Sequence, residues 1–215
     1  MNSTLLHGFF RSSTAFRVRI ALNLKGLAYD QRFRHLRKGE QRAPDYLMLN
    51  PQGLVPTLEI DNHVLTQSLA ILEYLDETHP EPALLPKDAV GRARVRSLAY
   101  MVACEIHPIN NLRVLQDLSK RFGANDGAVA EWFRHWVKET FAPLEQRLAS
   151  EASTGTFCHG NTPTLADVCL VPQVINNTRF QVDMTPYPTI SRIHRACIEL
   201  PAFAAALPDV QPDAE

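Results

Sequence analysis

The chain reads as an α/β domain followed by an all-α domain, and three observations carry that reading. Up to about residue 80, short strand-like runs alternate with amphipathic helical segments. A proline-punctuated stretch, Pro80-Glu81-Pro82-Ala83-Leu84-Leu85-Pro86, then interrupts the pattern. Beyond it, apolar residues recur only at the three- and four-residue steps of a helix. The expected division is a first domain at 1–82, a linker at 83–90 and a helical domain at 91–215.

Each element has its own signal. A strand near Thr4–Phe9 precedes a helix near Ser13–Lys25, and Ala28–Phe33 suits a second strand. Leu54–Ile60 and His63–Leu65 fit two strands joined at Asp61-Asn62, a tight-turn pair. A helix runs from about Gln67 to Thr78. The order βαβ, an irregular connection, then ββα calls for a mixed four-stranded sheet with helices on both faces. The irregular part includes His35–Asp45, with Arg37, Lys38, Arg42 and Pro44; it reads as a solvated loop, with a mobile lid as the alternative. In the second part, Val95, Leu98, Val102, Ile106, Ile109 and Leu112 mark one helical face. A long helix fits Ala128–Ala149, and another fits Thr189–Glu199. Thr164-Leu165-Ala166-Asp167 resembles a capping box, with Asp in place of Glu, opening a helix through about Asn176.

Composition narrows the function classes. The net charge of −1 over 215 residues argues against nucleic-acid binding as the main activity. No apolar run is long enough to span a bilayer. The start Met1-Asn2-Ser3-Thr4 lacks the basic and apolar stretches of an export signal. Cys104, Cys158, Cys169 and Cys197 have neither metal nor redox spacing and are expected to be buried, reduced thiols of a cytoplasmic protein. The histidines, His7, His63 and His79 among them, show no ligand spacing, and no metal is expected.

The chemistry concentrates where the first helix starts, at Arg11-Ser12-Ser13-Thr14-Ala15-Phe16-Arg17-Val18-Arg19. Hydroxyls there can cap orphan N–H groups or donate to an anion held at the positive end of the helix dipole. No cysteine lies at the site. A thiol bound there from outside would still ionise readily, because helix N-termini lower thiol pKa values from about 8.5 into the range of roughly 3.5–7.5. Ser12 or Thr14 is assigned to such a thiolate, and Ser13 to the helix cap. Val55-Pro56 follows the turn-like Asn50-Pro51-Gln52-Gly53 and reads as a strand start, with a cis proline as the alternative. Gln67-Ser68 opens the next helix, where Ser68 is either a cap or a donor to a carboxylate. His107 and Asn111 are four apart and share a helix face with Cys104, and Pro108 is expected to kink that helix and free the Cys104 carbonyl.

Three signals in this order resemble the thioredoxin-like domain of glutathione transferases. They are the hydroxyls at the first helix, Val55-Pro56 before the third strand, and Gln67-Ser68. The motif Ser12-Ser13-Thr14-Ala15-Phe16-Arg17-Val18-Arg19 resembles the zeta-class pattern, with Thr14 and Phe16 in place of its usual Cys and Trp. The likeness continues through Ile106–Leu115, Thr164–Asp167, Val171-Pro172-Gln173, Asn176–Phe180 and Tyr187–Ile190. It implies a glutathione transferase architecture, a homodimer and glutathione as cofactor. It also implies glutathione contacts from Ser12, Thr14, Gln52, Val55, Pro56, Gln67, Ser68, His107 and Asn111, the last two by binding rather than proton transfer.

The implied activity is cis–trans isomerisation of a maleyl keto acid in aromatic catabolism, by reversible thiolate addition to its double bond. Arg11 and Arg179 would hold its carboxylate and enolate groups. Arg179 is placed in a short segment after the helix ending near Asn176. The Thr14 variant favours maleylpyruvate over maleylacetoacetate. Glutathione conjugation, dehalogenation and a non-catalytic interaction module are the remaining alternatives.

Overall fold

The computed structural model describes residues 4–215; Met1–Ser3, part of the start read as lacking an export signal, lie outside them. The chain divides into two compact units. One runs through Ala83 and takes back Glu199–Glu215; the other is Leu84–Ile198.

The first unit is built on a mixed four-stranded sheet in the order β2-β1-β3-β4. β1 (Leu5–Gly8) runs parallel to β2 (Asp30–Phe33), with Leu6 opposite Gln31 and His7 opposite Arg32. A parallel pair needs a crossover, and α1 (Ser13–Leu24) supplies it. β3 (Thr57–Ile60) pairs antiparallel with β1 and with β4 (His63–Thr66). The turn between β3 and β4 uses Asp61 at φ 51° and Asn62 at φ 64°, the left-handed pair that a two-residue hairpin demands. α3 (Ser68–Thr78) packs against α1. α2 (Pro44–Leu49) plugs Tyr46 into the opposite side, where its ring lies 5.6 Å from His7 and its hydroxyl meets Thr57 Oγ1 at 2.8 Å.

Three expectations change here. Residues 35–45 are not an open loop: Leu36–Lys38 and Glu40–Arg42 form single helical turns that lead into α2. The Val55-Pro56 bond is cis rather than an ordinary strand start, and β3 begins one residue after it. The last residues do not belong to the helical domain. α9 (Pro201–Ala204) and the tail after it return to the sheet unit, where Asn23 donates to Ala202 O at 2.9 Å. The fully buried Arg19 donates to Ala206 O at 3.1 Å. The return also buries Phe203 and Ala206 completely, and so short a segment carries no periodic signal.

The second unit is helical throughout. α4 (Ala89–Tyr100) runs into a wider π-helical segment, Met101–Ile106, where His107 N–H reaches back to Val102 O at 3.1 Å. Pro108, which has no N–H to continue the ladder, follows, and a fresh helix α5 (Leu112–Phe122) begins beyond it. The apolar stripe from Val95 to Leu112 therefore crosses two helices. α6 (Asp126–Ser150), α7 (Leu165–Arg179) and α8 (Pro188–Ile198) complete the unit. α7 is the core: Leu165–Val174 are all buried. Its capping box is present, with the Asp167 carboxylate taking Thr164 N–H and O–H, each at 2.8 Å, and Cys158 N–H at 2.8 Å. Residues 83–90 are not a loose linker, because Leu84 and Leu85 are buried and Leu84 O accepts from Leu165 N–H at 2.9 Å. Cys158, Cys169 and Cys197 are buried and in no disulfide; Cys104, expected inside, is exposed. Among the described residues no helix is long and apolar enough to cross a membrane, and no metal-binding cluster forms.

Candidate functional site

The turn between β1 and α1 brings the hydroxyls together. Gly8 permits it: a Cβ there would sit 3.2 Å from that of Ala15. Ser12 N–H closes the turn onto Phe9 O at 2.9 Å. Ser12, not Ser13, is the cap; its backbone is extended and its Oγ accepts from Ala15 N–H at 3.2 Å. Ser13 is the first helical residue and is buried.

Ser12 Oγ and Thr14 Oγ1 lie 2.9 Å apart, and Thr14 Oγ1 donates to Val55 O at 3.0 Å. A carbonyl only accepts, so the single Thr14 proton points at Val55 and the Ser12 proton points at Thr14. The result is a directed chain, Ala15 N–H to Ser12 to Thr14 to the Val55 carbonyl. It ties the start of α1 to the residue before the cis proline. The carbonyl just before Val55 is held in turn by its own loop. Tyr46 Oη and Asn50 Nδ2 both donate to Leu54 O, at 2.6 and 2.8 Å. Gly53 turns the chain at φ +60°, where a Cβ would meet Gln41 O at 2.9 Å.

A second polar position lies at the start of α3. Gln67 sits at φ 68° and ψ 112°, a conformation that costs a non-glycine residue on the order of 1–3 kcal/mol and clusters at ligand clamps. Its Nε2 donates to Gln52 Oε1 at 2.8 Å, so both exposed amides are joined. Ser68 is buried, and behind it lies Arg17 at 2 % exposure. Arg17 Nη1 donates to Ser68 Oγ at 3.3 Å, while Nε and Nη2 are buried with no hydrogen-bond partner among the described residues. A guanidinium stays charged. A buried cation whose donors are unmet, next to a helix N-terminus, is a standing demand for an anion. Arg17 was missed in the sequence reading; the signal was a charged residue set between the apolar Phe16 and Val18.

Arg11 is half-buried, its guanidinium 4.8 Å from the centre of the Phe10 ring. Arg179 is the last residue of α7, not part of a segment after it; it is exposed, and its Nη1 donates to Asn176 Oδ1 at 3.2 Å. Its place at the helix C-terminus suits a cation electrostatically. His107 and Asn111 do meet, with Nε2 and Nδ2 3.4 Å apart, but across the break after the π-helical segment rather than along one helix face. Cys104 is exposed on the π-helical segment, and the carbonyl reached by His107 N–H is that of Val102. Asn111 Oδ1 caps α5, taking Arg113 N–H at 3.2 Å.

The arrangement in the first unit can hold an extended backbone beside Val55, a carboxylate at Ser68 and Arg17, and a thiolate at Ser12.

Known proteins resemble this chain over nearly its whole length. The model for the glutathione S-transferase N-terminal domain matches residues 11–78. The chain is 51% identical over 208 residues to a maleylpyruvate isomerase of a Ralstonia species, covering 97% of this chain and 98% of that one. It superposes with a TM-score of 0.97, at 51% identity, on the holo structure of a bacterial zeta-class glutathione transferase described as maleyl pyruvate isomerase, covering 98% of this chain and 100% of that one. A maleylacetoacetate isomerase from Methylobacterium extorquens AM1, with malonate and glutathione bound, is 44% identical with a TM-score of 0.95 over 98% of this chain and 99% of that one.

Proposed function

The chain belongs to the glutathione S-transferase family, and from that premise we propose that it is a glutathione-dependent cis–trans isomerase converting maleylpyruvate to fumarylpyruvate. The observation that carries the mechanism is the directed hydroxyl chain at the positive end of α1, in a site that holds no cysteine. The unmet donors of Arg17 beside Ser68 fit the γ-glutamyl carboxylate of the tripeptide. When bound, glutathione would supply a thiolate nucleophile for reversible addition to the maleyl double bond, with elimination reforming that bond as trans and returning the thiolate unconsumed.

The protein's residues do the rest. Ser12 donates to the sulfur: its proton otherwise goes to a neutral hydroxyl oxygen, which an anionic acceptor displaces. Thr14 stays on Val55 O and fixes Ser12. Val55, beside Pro56, pairs with the cysteinyl backbone, and the exposed amides of Gln52 and Gln67 flank the γ-glutamyl end. Arg11 and Arg179 take the substrate's carboxylate and the charge that develops on its keto oxygen, as bidentate donors. His107 and Asn111 contribute to binding. The chain is further proposed to act as a homodimer, for which a two-fold axis is the commonest arrangement. Its proposed compartment is the cytoplasm, where thiols are kept reduced.

The deciding assay follows cis-to-trans conversion of maleylpyruvate and maleylacetoacetate with and without glutathione, with the thiol balance measured. Conversion of maleylpyruvate that needs glutathione and does not consume it is expected. Full turnover in a thiol-free preparation overturns the mechanism, net consumption of glutathione makes the chain a conjugating enzyme, and faster turnover of maleylacetoacetate reassigns the substrate. Arg11→Ala and Arg179→Ala, made separately, are each expected to lower turnover about a hundredfold with glutathione affinity largely retained.

A further inference from the structure

The returning C-terminal tail ends against the turn that carries the site. Asp213 Oδ2 accepts the Phe10 N–H at 2.9 Å, across a sequence separation of 203 residues. The other polar end of Phe10 is also taken: its carbonyl accepts from Arg19 Nη2 at 3.0 Å. Phe9 O, on the same peptide group as the Phe10 N–H, accepts Ser12 N–H at 2.9 Å. The two peptide groups before Arg11 are thus clamped on each polar atom named, by the tail, by α1 and by the turn itself. Arg11 and Ser12 follow at once, and the Arg11 guanidinium lies against the Phe10 ring.

The tail is anchored independently of this contact. Gln211 Nε2 donates to Ala205 O and Leu207 O at 2.9 and 2.8 Å, and Gln211 Oε1 accepts from Gln31 at 3.1 Å. Glu215 meets His35 at 2.9 Å. Two contacts other than that of Asp213, Gln211 with Gln31 and Glu215 with His35, therefore also join the tail to the sheet unit. Asp213 is a costly residue: its Oδ1 is buried with no hydrogen-bond partner among the described residues. A buried acceptor left unsatisfied costs about 1–3 kcal/mol. The carboxylate's one hydrogen bond goes to the turn, and the nearby Arg19 guanidinium offsets its charge.

We propose that Asp213 is a positioning residue for the isomerase reaction, holding the Phe10 peptide so that Arg11 and the Ser12 hydroxyl face the bound sulfur and substrate at the reactive separation. The inference rests on the isomerase reading. A displacement of about 1 Å at a reacting group can cost on the order of a hundredfold in rate, whereas a binding contact remote from the turn, at Ser68, is unaffected by it.

The test compares wild type, Asp213→Ala and Asp213→Asn by steady-state kinetics on maleylpyruvate, by ultraviolet titration of the bound glutathione thiol, and by thermal unfolding. Asp213→Ala is expected to lower kcat about tenfold or more, leave the glutathione KM within about twofold, and raise the bound thiol's pKa. Asp213→Asn, which keeps an acceptor oxygen, is expected to restore kcat to within about threefold of wild type. Wild-type kcat in Asp213→Ala overturns the proposal, and so does an Asn variant as slow as the Ala variant. So does an Ala variant whose loss is entirely in glutathione KM. If Asp213→Ala does not fold, Asp213→Asn alone decides: near wild-type kcat and thiol pKa support the clamp, and loss of either refutes it. A wild-type protein that fails to isomerise maleylpyruvate at all sinks the underlying reading instead, which separates the two failures.

Discussion

Ser12 caps α1 and is proposed to donate to the bound sulfur with the same hydroxyl, and its variants separate the two roles. Its oxygen caps α1, and its proton points at Thr14 Oγ1, from which the proposed thiolate would take it. Ser12→Ala is expected to lose about 1 kcal/mol of stability and on the order of a hundredfold in kcat. Thr14→Ala removes the tie to Val55 and is expected to cost less turnover than Ser12→Ala; denaturant unfolding and initial rates on maleylpyruvate check both. A Thr14 variant that is the slower of the two reassigns the sulfur donor. Arg17 gives a sharper contrast. Replacing a buried, poorly paired charge by an apolar residue of similar length is often neutral or stabilising. Arg17→Met is therefore expected to keep or raise Tm while weakening glutathione binding about tenfold or more, measured by calorimetry. Loss of Tm and affinity together would make Arg17 a structural residue.

At the scale of elements, α7 depends on one carboxylate. Burial pushes the Asp167 carboxyl pKa up, and hydrogen bonds from Cys158 and Thr164 oppose that shift. Asp167→Asn keeps one acceptor oxygen but puts an amide nitrogen, a donor, where several N–H and O–H groups point. The expected cost is about 2 kcal/mol in urea unfolding, with an unchanged m-value. The sequence reading found this box because Thr and Asp at that spacing before an apolar run have a local cause. It also found α1, α3, α6, α8 and the Asp61-Asn62 hairpin for the same kind of reason. It missed the break at 107–111, because the stripe Val95–Leu112 stays in phase while the backbone widens to a π-turn and stops at Pro108. It missed α2 and the turns before it, because six residues with one buried side chain, Tyr46, leave no period to read.

For the molecule as a whole, the buried His7 and the half-buried His194 set an acid limit. Burial is the first cause that lowers the pKa of His7, with Glu59 at 2.6 Å acting against it, and burial followed by Arg195 lowers that of His194. Each leaves a ring nitrogen buried without a partner, as a neutral imidazole would. A base whose folded pKa lies below its unfolded value stabilises the fold fully above the unfolded pKa, about 6.5. That contribution is lost as pH falls from there through the folded value. Tm is therefore expected to be flat above about pH 7 and to decline toward pH 5. His7→Gln should flatten the decline in thermal scans; an unchanged slope would assign it elsewhere. The raised Asp167 pKa works in the opposite sense, since its protonated form is favoured in the fold.

Sequence alone determined the two-part architecture, the hydroxyl-rich start of α1, the Val55-Pro56 and Gln67-Ser68 positions and the need for an outside thiol. All of these are local: they follow from side-chain type and from spacing within one or two turns of chain. Tertiary structure decided which serine caps, where each hydroxyl proton points, that Arg17 stands behind Ser68, and that Asp213 reaches Phe10 from the far end of the chain. Those are single directional contacts between distant segments. A hydrogen bond depends on fractions of an ångström and on one orientation, and no periodic pattern along the chain encodes either.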